Sequence, residues 1–102
     1  MDQIENLTTS IRNFAKKRDW EKFHSPKNLA MAIAGEAGEL VAEFQWLTPE
    51  ESSKSELSEE KLRDIRLEMA DVQIYMLRLA DILGIDIADA VREKMELNEA
   101  RF

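Results

Sequence analysis

The chain of 102 residues contains no cysteine. That excludes a disulfide framework and a thiolate metal site, and it fits a reducing compartment such as the cytoplasm. Only three glycines and two prolines are present, too few to punctuate many turns, so long helices with few connections are favoured over a β-sandwich. No stretch approaches the ~20 apolar residues of a membrane span. The opening Met1-Asp2-Gln3-Ile4-Glu5 lacks the basic start and apolar run of a signal peptide. Positive charge is scarce as well: 14 Lys and Arg against 21 Asp and Glu leave a net charge of −7. This argues against duplex nucleic acid as a partner, because phosphate contacts come from a basic surface. An acidic protein can still bind a small polyphosphate when cations accompany it.

What is present suits one soluble all-α domain over residues 1–102. Hydrophobic residues make up 44% and charged residues 34%, too apolar for disorder. Four main helices are predicted. Ile4, Leu7, Ile11, Phe14 and Ala15 recur at helical spacing over residues 3–18, with Lys16-Lys17-Arg18 at the end where the helix dipole favours cations. Ser25-Pro26 reads as N-cap and first helical position of a second helix reaching about Leu47, with Leu29, Ile33, Ala37, Leu40, Phe44 and Leu47 as its core stripe. Thr48-Pro49-Glu50-Glu51 has the pattern of a capping box with proline at its first turn, where a new short helix is expected to start, and residues 50–61 read as a surface loop or loosely held turn. A third helix is expected from Ser58 to Leu83, stopping at Gly84, and a fourth after Asp86 with Ile87, Val91 and Met95 facing inward. The third carries two apolar stripes, one through Leu62, Ile65, Met69 and Val72, the other through Leu67, Ala70, Ile74 and Leu77. A helix apolar on two sides needs two covers, which predicts a homo-oligomer.

Two pairs of acids stand out: Glu36 and Glu39 within Gly35-Glu36-Ala37-Gly38-Glu39, and Glu68 and Asp71 within Glu68-Met69-Ala70-Asp71. Residues three apart are neighbours on a helix surface, so two such helices packed together would gather four carboxylates. Charges held that close must be protonated or neutralised by cations, and oxygen ligands in that number suit Mg²⁺ or Mn²⁺. Single acids on helices are mostly solvated, but these sit among small apolar residues, unlike a solvated face. Gly35 and Gly38 inside a helix cost roughly 1 kcal/mol each relative to Ala, which predicts close approach of a neighbouring helix or a ligand.

Trp46 lies seven residues beyond Glu39, and Tyr75 four beyond Asp71 and seven beyond Glu68. On a helix these offsets stay on the carboxylate face, where an aromatic could stack on a nucleotide base; the plainer role is core packing. His24, the one histidine, suits either a ligand hydrogen bond or a helix cap. A di-iron bundle needs a Glu-x-x-His pair on each of two helices; one histidine, in a linker (Glu21-Lys22-Phe23-His24), cannot supply them, so that alternative loses its ligands. Lys94, Asn98 and Arg101 share one helical face, as phosphate contacts or as ordinary exposed side chains.

Arg18-Asp19-Trp20-Glu21-Lys22-Phe23-His24-Ser25-Pro26-Lys27-Asn28-Leu29, the Gly35–Leu40 segment, Phe44-Gln45-Trp46 and Glu68-Met69-Ala70-Asp71-Val72 together resemble the MazG-like all-α nucleoside triphosphate pyrophosphohydrolases, and their dCTP pyrophosphatase branch in particular. Lys94-Met95-Glu96-Leu97-Asn98 followed by Arg101-Phe102 resembles the family's C-terminal motif, with Arg and Phe where the family has Lys and Tyr. The resemblance implies a helical bundle that dimerises and usually forms a tetramer, with Mg²⁺ (or Mn²⁺) held by Glu36, Glu39, Glu68 and Asp71. It implies hydrolysis of a (deoxy)nucleoside triphosphate such as dCTP to monophosphate and pyrophosphate, a house-cleaning activity on the nucleotide pool. Trp20, His24, Trp46 and Tyr75 would line the base and sugar pocket, and Lys94, Asn98 and Arg101 would meet the phosphates. Either Glu36 or Glu39 is the candidate base for the attacking water. A non-catalytic nucleotide-binding or sensor module, and a structural helical interaction protein, are the two alternative classes.

Overall fold

The computed structural model describes residues 2–102, all helix and turn with no strand among them. Helix α1 spans Gln3–Lys17, α2 Pro26–Phe44, α3 Glu59–Leu83 and α4 Ile87–Arg101. Each start is fixed by a side chain that accepts an otherwise unpaired backbone N–H. Asp2 accepts from Glu5, Ser25 from Asn28, Ser58 from Lys61 and Asp86 from Asp89. Gly84 ends α3 with φ 66°, a left-handed conformation that only a residue without Cβ adopts at no cost.

The second helix ends at Phe44, three residues short of the expected Leu47. The chain then turns, and the capping box forms as a pair of reciprocal bonds: Thr48 N–H to Glu51 Oε1 at 2.8 Å and Glu51 N–H to Thr48 Oγ1 at 3.2 Å. No α-helix grows from it. The following segment holds only a 3-10 turn at Lys54–Glu56 before Ser58 opens α3.

Packing is concentrated between α2 and α3, with α1 laid against α3. The buried apolar set is Ala15, Leu29, Ile65, Leu77 and Ala80. Ile65 and Leu77 come from different stripes of α3, so the helix is covered on both sides only in part. Leu67, Met69 and Ile74 stay exposed. The expected core residues Ile4, Leu7 and Phe14 of α1 are exposed too, as are Val91 and Met95 of α4, which packs closely on no other helix. The radius of gyration is 16.2 Å, against about 13 Å for a compact chain of this length. The accessible surface of 8066 Å² likewise exceeds the roughly 5,900 Å² of a monomer of this mass.

Of the two uses expected for Gly35 and Gly38, close approach by a helix of the same chain is not found. Beyond the adjoining backbone of α2 itself, nothing lies within 4 Å of the Cβ that either would carry. Close approach by another helix of the same chain therefore does not explain them.

A charged strand of contacts crosses the bundle. Arg12 of α1 pairs with Asp81 of α3, Asp81 also accepts from Arg78 one turn earlier, and Arg78 reaches His24 between α1 and α2. Arg78 is 6% exposed, so these bonds are what make burying its charge tolerable. Among the described residues, no buried side-chain nitrogen or oxygen lacks a partner.

Candidate functional site

Packing of α2 on α3 brings Glu36, Glu68 and Asp71 together, each offering a carboxylate oxygen within 4.8 Å of the others. Helical spacing supplies the Glu68–Asp71 pair locally; only the packing of the two helices adds Glu36. The fourth predicted ligand, Glu39, is exposed and stands outside this group, though its charge acts on Glu68. The Glu68 carboxyl is held above the usual range, first by burial and then by Asp71, Glu39, Glu36 and Glu43. Glu43 has its own counter-ion, a 3.0 Å ion pair with Lys61. Among the described residues, Glu36, Glu39, Glu68 and Asp71 have no such partner, and three crowded oxygen donors fit a hard divalent cation.

A cavity of about 340 Å³ opens between the segment after α1 and the packed helices. Trp20, Phe23, His24, Asn28, Leu29, Ala32 and Tyr75 line it. Its local geometry follows from the sequence at the end of α1. Asp19 takes φ 55°, which an Asx side chain tolerates better than most, and the chain reverses there. Arg18 then stacks over Phe14 at 3.5 Å, while Phe14 meets Trp20 edge-on at 5.6 Å. Asn28 donates from its side chain to the Phe23 carbonyl at 3.1 Å, fixing the cavity's other lip.

Of the predicted binding residues, Trp20, His24 and Tyr75 share this cavity. Trp46 does not: α2 stops before it, so no helical face carries it beside the carboxylates, and it is 87% exposed. Lys94, Asn98 and Arg101 lie on α4, outside both the cavity lining and the carboxylate group. Sequence reasoning missed Phe23 and Asn28 as lining residues and passed over Arg78 altogether. The one available signal for Arg78 was a charged residue three before Asp81 within an apolar stretch of α3.

The His24 imidazole has its pKa lowered, chiefly by burial and then by the Arg78 charge, with Glu21 acting weakly in the opposite direction. No helix among the described residues is long and apolar enough to cross a membrane.

Residues 31–101 match the model of the MazG-like family. The chain is 38% identical to dCTP pyrophosphatase 1 of Homo sapiens and 37% to that of Bos taurus, each over 99 residues. Those alignments take in 97% of this chain but only 58% and 59% of the relatives, so the chain spans less than two thirds of their length. A solved pyrophosphatase structure from Archaeoglobus fulgidus superposes with a TM-score of 0.91 at 38% identity, covering 100% of this chain and 94% of that one.

Proposed function

This chain belongs to the MazG-like family, and from that premise we propose that it is a nucleoside triphosphate pyrophosphohydrolase, acting as one domain on dCTP or a related deoxynucleoside triphosphate. The observation that carries the reading is the convergence of Glu36, Glu68 and Asp71 from two helices. The aromatic cavity containing Trp20, His24 and Tyr75 supplies a place for the nucleoside. Both the human relative and the archaeal structure bear the name of a pyrophosphatase.

Glu36, Glu68 and Asp71 would hold Mg²⁺, or Mn²⁺ in its place, with Glu39 in reach of the group. Bound there, the cation supplies charge neutralisation at the phosphates. The chain's own residues do the rest. Trp20 and Tyr75 take the faces of the base, and His24 a hydrogen bond to it. Glu39, standing free of the three-carboxylate group, accepts the proton of the attacking water. The bridge between the α- and β-phosphates breaks, leaving monophosphate and pyrophosphate. Lys94, Asn98 and Arg101 meet the phosphates from a neighbouring subunit, since their own helix stands apart from the site. Such a subunit also accounts for the surplus of accessible surface, about 2,000 Å² beyond that of a compact monomer, a scale typical of obligate interfaces.

Pyrophosphate release from a panel of canonical and modified deoxynucleoside triphosphates with Mg²⁺ tests the reading. Release from at least one, abolished by a chelator, is the expected result. Nucleotide binding without pyrophosphate would make this a sensor module. Calorimetry showing no Mg²⁺ binding would leave the acids as surface decoration.

A further inference from the structure

Arg78 is the most buried charged side chain described, and it serves neither the carboxylate group nor the cavity lining. Its Nε donates to Nδ1 of His24 at 3.2 Å, and its Nη1 donates to Asp81 Oδ2 at 3.1 Å. Asp81 is in turn gripped from the other side by Arg12. The guanidinium is thus held between two partners, with little freedom to turn away.

A guanidinium has donors only, and it stays protonated in proteins. The nitrogen that accepts from it must therefore present a lone pair. That one contact dictates two properties of the imidazole. Nδ1 is bare, so in the neutral ring the hydrogen sits on Nε2. The ring also stays neutral, because a second hydrogen on Nδ1 would point at the Arg78 N–H and add a positive charge beside a buried one. We propose that Arg78 is a positioning residue that locks His24 as the neutral Nε2–H tautomer, so that the aromatic cavity offers one fixed hydrogen-bond donor to an acceptor atom of the nucleoside, such as a ring carbonyl oxygen. The role assigned to the donor rests on the cavity being the nucleoside site; the tautomer itself does not.

The surroundings of the ring agree. Arg78 faces it from α3, as the cavity's Tyr75 does, and Glu21 belongs to its own turn. The Asp81 carboxylate is shared between Arg12 and Arg78 and accepts nothing from His24. The lowered pKa of His24 has burial as its first cause and the Arg78 charge as its second, and both keep the neutral form. A donor that does not depend on pH near neutrality discriminates by geometry alone: it rewards an acceptor and leaves an opposing N–H unpaired.

Because His24 is the one histidine, long-range ¹H–¹⁵N correlation on the uniformly ¹⁵N-labelled full chain reads it without assignment. The expected wild-type spectrum has a protonated Nε2 and a bare Nδ1, titrating below the ordinary imidazole value of about 6.5. An Nδ1–H ring, an averaged mixture of tautomers, or titration at or above that value overturns the lock and leaves the cavity reading standing. In Arg78→Leu the tautomers should mix and the titration should move up. In Arg78→Gln, whose amide can still donate to Nδ1, the Nε2–H form should persist. If Arg78→Leu fails to fold, the wild-type and Arg78→Gln spectra decide the matter alone.

The donor role has its own arm. Each of the four deoxynucleoside monophosphates is added in turn, with inorganic pyrophosphate as the control that lacks a nucleoside. At least one nucleotide should shift the Nε2–H resonance, pyrophosphate should not, and affinity for that nucleotide should fall roughly 2- to 10-fold in Arg78→Leu, the worth of one neutral hydrogen bond. A correct tautomer that no nucleotide perturbs overturns the donor role through the cavity reading, not through the Arg78 contact.

Discussion

Arg12 holds Asp81 in a two-pronged ion pair, Nε to Oδ2 at 2.8 Å and Nη2 to Oδ1 at 2.7 Å. The pair fastens α1 to α3. It also keeps in place the carboxylate on which the buried Arg78 depends. The two partners are unequally exposed, 48% for the Arg12 side chain and 16% for that of Asp81.

Their removal should therefore differ in cost. Asp81→Ala leaves a buried guanidinium without its anion and is expected to cost about 3 kcal/mol or more. Arg12→Ala removes a half-solvated partner whose charge water can replace, and should cost clearly less. Thermal melts at matched protein concentration check this, at roughly 4–8 °C per kcal/mol for a domain of this size. The Asp81 carboxyl lies below its usual range, with the Arg12 hydrogen bond as the first cause. Its contribution is thus present above the unfolded value of about 3.9 and is lost as pH falls through the lower folded value. The gap between wild type and Asp81→Ala should hold at neutral pH and narrow only in acid. Equal losses from the two substitutions would contradict this account.

Glu68 works in the opposite sense. Its folded pKa is raised, so in the metal-free protein its charge weakens the fold above that value and the penalty fades as pH falls through it. In chelator at neutral pH, Glu68→Gln should melt higher than wild type, with the difference shrinking in acid. Added Mg²⁺ should raise the melting temperature of wild type and not that of Glu68→Gln, which should have no turnover. A lower melting temperature for the chelated variant would place Glu68 in a structural hydrogen bond instead.

Trp46 is so exposed that its loss should not affect the fold of a lone chain. If it stacks on the base of a bound nucleotide, Trp46→Ala should raise KM for a good deoxynucleoside triphosphate roughly 5- to 150-fold, equivalent to about 1–3 kcal/mol of stacking, with much less change in kcat. Inorganic triphosphate has no base, and its hydrolysis should be unaffected. Parallel losses for both substrates would make Trp46 a packing residue of the assembly.

Assembly has a separate test. Ile74 is 43% exposed and Leu67 45%, both on the second stripe of α3. Sedimentation should find the native chain as a dimer or tetramer and Ile74→Asp as a smaller species. Circular dichroism should still report helix, because this side chain is not buried in the chain's own core. A native chain that sediments as a stable monomer would contradict the assembly.

Local chemistry is what the sequence by itself determined. Ser25, Ser58 and Asp86 start helices and Gly84 ends one because a cap is a bond between residues three or four apart, or a backbone angle at a single position. The Glu68–Asp71 pair was legible for the same reason, being one helical turn. Periodicity also found the α2 stripe around the buried Leu29, but it could not say which apolar faces the chain covers for itself. Val91 and Met95 have the right spacing for a core, yet both are exposed, because α4 packs closely on no other helix among the described residues. Only the tertiary structure decided that Glu36 joins Glu68 and Asp71 while Glu39 stands aside, since that choice depends on how α2 rotates against α3. The same holds for Arg78 and His24, 54 residues apart: no spacing rule connects them, and the tautomer of a histidine is set by whatever the fold places against its ring.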